Sequence, residues 1–175
     1  MPEYLTIGEP HIHRCPGVIT HRSIFDVCKY RKEAGHIADD DFFYRVGQYT
    51  DVVGLLKPLA SYREHKKSET GHLENIKLVS RLANDYLFQI SEASKTNYYS
   101  EDLKDYFKKK AIYFIIQHLI LSLKSNDLIE IKKSTDNWFC MKNLKVSPTL
   151  KGRLIYTFYK IFGNKITHTC IKFIA

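Results

Sequence analysis

The chain has 175 residues and 44% hydrophobic content, enough to bury one sizeable core and too much apolar character for an intrinsically disordered polypeptide. Its formal charge of +8 resides entirely in the second part, since residues 1–70 carry 10 Lys+Arg against 10 Asp+Glu and residues 71–175 carry 17 against 9. Cys15, Cys28, Cys140 and Cys170 are scattered and form no C-x-x-C pair; this argues against a zinc knuckle or a disulfide framework and for reduced thiols in a reducing cytoplasm. No basic segment followed by an apolar run opens the sequence, so a secretory signal is not expected.

In chain order, His11-x-His13-x-Cys15 would set three soft ligands on one side of a strand. A closed zinc site needs a fourth ligand that the sequence does not identify, and a packed strand is the default. The densest chemistry lies between Ile37 and Gly71. Asp39, Asp40 and Asp41 crowd three like charges, which raises the proton affinity of at least one of them unless cations or donors stand nearby. Such a carboxylate suits a general base or a metal ligand. Phe42, Phe43, Tyr44 and Val46 can anchor a short helix with the acids at its N-terminus, where the helix dipole favours negative charge. Val52 to Leu56 and Leu59 to Tyr62 read as short buried extended runs around Pro58. Arg63 and His65 then share a face suited to an anion such as a phosphate. A solvated acidic helix cap followed by a basic loop accounts for the same residue types.

From His72 to Ile90 apolar residues recur every three or four positions, predicting a helix with one buried face. Ser91 to Ser100 reads as a polar connection, with Ser100 the N-cap of a second helix running to about Ser125 and Glu101 and Asp102 in its first turn. The two helices are expected to pack as an antiparallel pair. The apolar run Ala111 to Leu123 is interrupted by Gln117 and His118 and falls short of the roughly 20 residues a spanning helix needs. Leu128 to Lys132 and Trp138 to Met141 read as two strands around Ser134-Thr135-Asp136-Asn137, with a helix as the alternative. Helices followed by a basic hairpin also describe a winged-helix nucleic-acid binder, in which Lys132, Lys133, Lys142 and Lys145 would contact phosphates. Finally, Leu150, Leu154, Ile155, Phe158, Tyr159 and Phe162 can share a broad helical face flanked by Lys151, Arg153 and Lys160, with Gly163-Asn164 as a stop. Such a face either packs on the domain or, through 149–162, meets an anionic membrane surface.

The order Pro16-Gly17-Val18-Ile19, His21-Arg22-Ser23, Ala38-Asp39-Asp40-Asp41-Phe42-Phe43-Tyr44-Arg45, Lys57-Pro58-Leu59 and Tyr62-Arg63-Glu64-His65-Lys66-Lys67-Ser68 resembles the acceptor-side half of family 2 inverting nucleotide-sugar glycosyltransferases. The resemblance covers about Pro16 to Thr70 and departs from the family pattern at Ala38 and at Cys28-Lys29. It implies an α/β fold: a partial GT-A-like domain of short strands and helices over residues 1–70, followed by a mainly helical, basic C-terminal extension over 71–175. It also implies that Asp39 is the catalytic base and Asp41 the second acid, orienting the acceptor or the base. Arg45, Arg63, His65 and Ser68 would bind substrate or diphosphate, and His65 would also contact a divalent metal, manganese or magnesium.

The partners implied are a nucleotide-sugar donor and a glycan or lipid-linked acceptor, as in polysaccharide or surface-glycan synthesis, at the cytoplasmic, inner face of a membrane. The nucleotide-binding half that such enzymes use, with its metal-binding Asp-x-Asp, is not found in these residues. It would belong to a missing N-terminal half or to a partner chain, the third alternative being a remnant of such an enzyme that only binds.

Overall fold

The computed structural model describes residues 18–51, 53, 75–97, 99–143, 152–157, 159–161 and 163. Its elements are α1 (Ile24–Val27), a 3-10 segment (Lys32–Ile37), α2 (Ala38–Val46), α3 (Ile76–Lys95), α4 (Glu101–Ser125) and α5 (Leu128–Asn143), with further helical backbone at 152–157 and 159–161. Among the described residues 79% are helical and none is in a strand. The expected α/β, partial GT-A-like architecture is therefore overturned. Of the run Val52 to Leu56 only Val53 is described, and it is 82% exposed where a buried position was expected; the rest of that run, Leu59 to Tyr62, His11, His13 and Cys15 lie outside the described residues.

The central hairpin begins where its caps stand. The Asn75 side chain accepts hydrogen bonds from the backbone N–H groups of Lys77 and Leu78, and Ser100 accepts one from Leu103, satisfying donors that a helix start leaves without partners. α3 continues to Lys95, through the stretch expected to be a connection, because Ala93 is buried in the core. Tyr86 faces both Tyr106 and Phe114, with ring centroids at 6.3 and 5.5 Å, which fixes α3 and α4 as an antiparallel pair across the short Thr96–Ser100 link.

α4 buries Leu103, Phe107, Ala111, Ile115, Leu119 and Leu123, a stripe with a strict four-residue step. Four residues overshoot one helical turn by about 40°, so the stripe winds around α4 and serves different neighbours along its length. Phe107 meets Tyr44 of α2 at 5.3 Å and Tyr99 at 5.8 Å. Leu119 and Leu123 pack with Ile131 of α5. Asn126 adopts a left-handed conformation, φ 56°, and its N–H returns to the carbonyls of Ser122 and Leu123, closing α4 before α5 begins.

The hairpin expected at 128–141 is one helix. Asp127 accepts from the N–H groups of Ile129 and Glu130, and Ile131, Ser134, Trp138 and Met141 are buried at helical intervals. Ser134 and Thr135, which looked like turn residues, return their hydroxyls to the carbonyls of Ile131 and Lys132, so their side chains no longer compete with the helix. The β-wing expected at 128–141 thus has no counterpart among the described residues: Lys132 and Lys133 project from α5, Lys142 falls in its last turn, and Lys145 lies outside the described residues.

α5 is tied to α4 by His118, fully buried, whose Nε2 lies 2.9 Å from Glu130 Oε2. Burial pushes the His118 pKa down against the pull of Glu130, so the ring is neutral and donates from Nε2 to the carboxylate. Glu130 also receives Lys133 Nζ at 2.6 Å.

Phe107 is completely buried among Tyr44, Tyr99 and Tyr106. Phe107→Ala should lower unfolding free energy by about 3–5 kcal/mol, whereas Tyr113→Ala, at a position 49% exposed, should change it by less than about 1 kcal/mol. Chemical denaturation of the two variants checks both.

Candidate functional site

Successive residues of a helix point about 100° apart, so the run Asp39-Asp40-Asp41 in the first turn of α2 sends three carboxylates into three environments. Asp39 is exposed to solvent. Asp40 is half-buried, and its carboxyl is pushed up to about 6, first by burial and then by the charge of Asp39, against the opposing pull of Lys110 on α4. Asp41 is fully buried.

Asp41 is held on every side. Its Oδ2 accepts from Arg31 Nε and from Arg45 Nε, both at 3.0 Å. Its Oδ1 accepts from Arg31 Nη2 and, at 2.8 Å, from Gln89 Nε2 of α3. Burial pushes the Asp41 carboxyl up, but the hydrogen bonds from Arg31 and Gln89 and the charges of Arg45 and Arg31 together outweigh it and hold the group below its ordinary range. Arg31 reaches further, to Glu92 Oε2 at 2.7 Å, and lies over the Phe88 ring at 5.1 Å. Arg45 also donates to Cys28 Sγ at 3.2 Å and to the Lys29 carbonyl.

A second clamp sits just before α2. Asp85 Oδ2 accepts the His36 backbone N–H at 2.9 Å and lies 3.4 Å from His36 Nδ1. Gly35 makes this approach available: its φ is 60°, and a Cβ there would stand 2.3 Å from Asp85 Oδ1, so only glycine meets both demands. Asp85, Gln89 and Glu92 recur at i, i+4 and i+7 on α3 and form a polar ridge on which the His36 backbone, Asp41 and Arg31 are seated in turn.

Of the residues expected to carry chemistry, Asp39, Asp41 and Arg45 share α2, with Asp41 and Arg45 bonded to each other. Arg63, His65 and Ser68 lie outside the described residues. The Asp39-x-Asp41 pair does not fit a divalent ion, because both oxygens of Asp41 are occupied by guanidinium and amide donors whose charge would repel a cation. No group of three His, Cys, Asp or Glu residues that could hold a metal occurs among the described residues. Sequence reasoning missed Arg31, Gln89, Asp85 and His36; the single local signal was Gly35, placed before a histidine and an acidic helix start.

No family model matches this chain, and neither a curated protein nor a solved structure matches it.

Asp40 and Asp41 make opposite demands on pH. A carboxyl raised in the fold stabilises the protein below its ordinary pKa, and that contribution is lost as pH rises through about 6. Asp40→Asn should therefore raise stability at pH 8 by about 1–3 kcal/mol and change it little at pH 4. A lowered carboxyl contributes above its ordinary pKa and loses that contribution as pH falls through its folded value. Asp41→Asn should cost about 3–5 kcal/mol at pH 7 by leaving two guanidiniums without their anion, with the deficit shrinking in strong acid. Urea melts across pH 3–8 separate the two.

Proposed function

We propose that this chain carries the acceptor-activating part of an inverting nucleotide-sugar glycosyltransferase, with Asp39 as the general base. The observation that supports it most is the division within one acidic run: a solvent-facing carboxylate opens a helix whose rotation is locked by the third acid of the same run. The reading rests on these residues and not on a sheet architecture.

An acceptor hydroxyl placed against Asp39 attacks the anomeric carbon of the donor. As the new C–O bond forms on one face, the bond to the nucleotide diphosphate breaks on the other, Asp39 takes the hydroxyl proton, and the diphosphate leaves with the bonding electrons. Asp40 adjoins Asp39, with its carboxyl pushed up to about 6 by burial and by the charge of Asp39. Asp41 and Arg45 act as positioning residues through Arg31 and Gln89. In the same reading Arg63, His65 and Ser68 contact the donor's diphosphate. The scattered cysteines, among which Cys28 and Cys140 are free thiols, support a reducing cytoplasm as the setting.

The experiment is release of UDP from UDP-sugars in the presence of glycan or lipid-linked hydroxyl acceptors, together with calorimetric titration of the same donors. Asp39→Asn should reduce turnover by about 10²–10⁴-fold with an unchanged melting curve. Retained turnover would reject Asp39 as the base, and a folded wild-type chain that neither binds nor turns over any donor would reject an activity of this chain by itself.

A further inference from the structure

We infer that the outer ridge of the helical segment at 152–161, joined by Phe139 of α5, docks in the plane of an anionic lipid surface. This docking is independent of the sugar-transfer reading. The segment splits cleanly into two faces. Ile155, Tyr156 and Tyr159 pack on the clusters built by α4 and α5; Tyr156 stacks on Trp138 with centroids at 4.8 Å and an interplanar angle of 7°. Gly152 is buried where a Cβ would lie 2.7 Å from Ile116 Cδ1. The packing role of the segment is therefore filled by one face.

At 100° per residue, Arg153, Leu154, Thr157, Lys160 and Ile161 occupy the opposite arc, and all are exposed. Leu154 is 57% exposed and Ile161 66%, large apolar side chains turned away from the clusters that the described residues build. Phe139 extends the ridge: 49% exposed, it meets Tyr156 edge-on at 6.2 Å. Lys160 Nζ stands 5.8 Å from the Phe139 ring and 5.7 Å from the Tyr156 ring. Apolar and aromatic groups with basic ends beside them form the composition that settles at a headgroup boundary, chains inward and cations at the phosphates.

Charge selects the occupant. From Lys142 to the end of the sequence there are seven Lys+Arg and no Asp or Glu. α5 adds exposed Lys132 and Lys133; of its two acids, Glu130 is buried against His118 and Lys133, and Asp136 alone is exposed. A second copy of this ridge would oppose like charges, and a nucleic acid would leave Leu154, Ile161 and Phe139 in water. An anionic bilayer satisfies both the charge and the apolar area. No helix among the described residues is long and apolar enough to cross a membrane, which agrees with an in-plane arrangement.

The test is co-sedimentation of the full chain with phosphatidylcholine vesicles, with and without phosphatidylglycerol, at low and high salt. Binding to the anionic vesicles should exceed binding to neutral ones by about tenfold or more and fall as salt rises. Lys160→Glu should weaken it by roughly tenfold, and the double variant Leu154→Glu/Ile161→Glu should abolish it with circular dichroism and melting unchanged. Equal binding to neutral vesicles, no binding by the folded wild type, binding indifferent to the double variant, or self-association removed by that same variant would each overturn the proposal.

Discussion

Everything around α2 depends on the burial of one charge. A carboxylate taken out of water costs several kcal/mol unless its lone pairs are met, and Asp41 meets this with two guanidiniums and an amide drawn from three places in the chain: the approach to the 3-10 segment, the last turn of α2 itself, and α3. The cluster is balanced, with Arg31 and Arg45 against Asp41 and Glu92. Because α2 is only nine residues long, it has little stability of its own. The Asp41 anchor and the seat of Tyr44 against Phe107 give it a fixed rotation.

That rotation sorts three chemically identical side chains. With Asp41 turned inward, the step of about 100° per residue puts Asp39 into solvent and leans Asp40 toward α4. There Asp40 faces Lys110 and a group of buried phenols; burial together with the charge of Asp40 pushes the pKa of Tyr86 up to about 12 and also raises those of Tyr44 and Tyr106. A carboxyl raised by burial beside one lowered by guanidinium contact is the pattern by which environments pull the pKa values of like groups apart, and here the partners that turn Asp41 inward, together with the helical step, assign which residue is which.

The helices were legible where local chemistry settles them. Ser100 with its acidic first turn and the periodicity of α3 are short-range signals, and the structure uses them at those positions; Asn75, the cap of α3, was not singled out. α5 was hidden by Ser134 and Thr135, whose turn preference is cancelled once each hydroxyl bonds back along the helix. The acidic run stood out as a unit, yet nothing in it told Asp41 from Asp39. The distinction is made by Arg31 and Gln89, ten and 48 positions away, and the polar ridge Asp85, Gln89 and Glu92 looks in the sequence like the wet face of an amphipathic helix. Single-sequence reasoning places polar residues outward by default; a buried salt-bridge cluster inverts that default without leaving a local mark.

α4 joins the two regions of interest and also keeps them apart. Its four-residue stripe faces α2 near Lys110 and faces α5 and the 152–161 segment from Ile116 to Leu123. At 1.5 Å per residue, that is roughly 10–20 Å along the axis, or one to two screening lengths at physiological ionic strength. Asp39 and Asp40 next to the basic ridge would weaken its attraction to anionic lipid, and Lys160 or Arg153 next to the acids would lower the proton affinity that Asp40 gains from burial. A winding stripe on one long helix lets a single chain present an acidic site and a basic surface of opposite electrostatic demand without either cancelling the other.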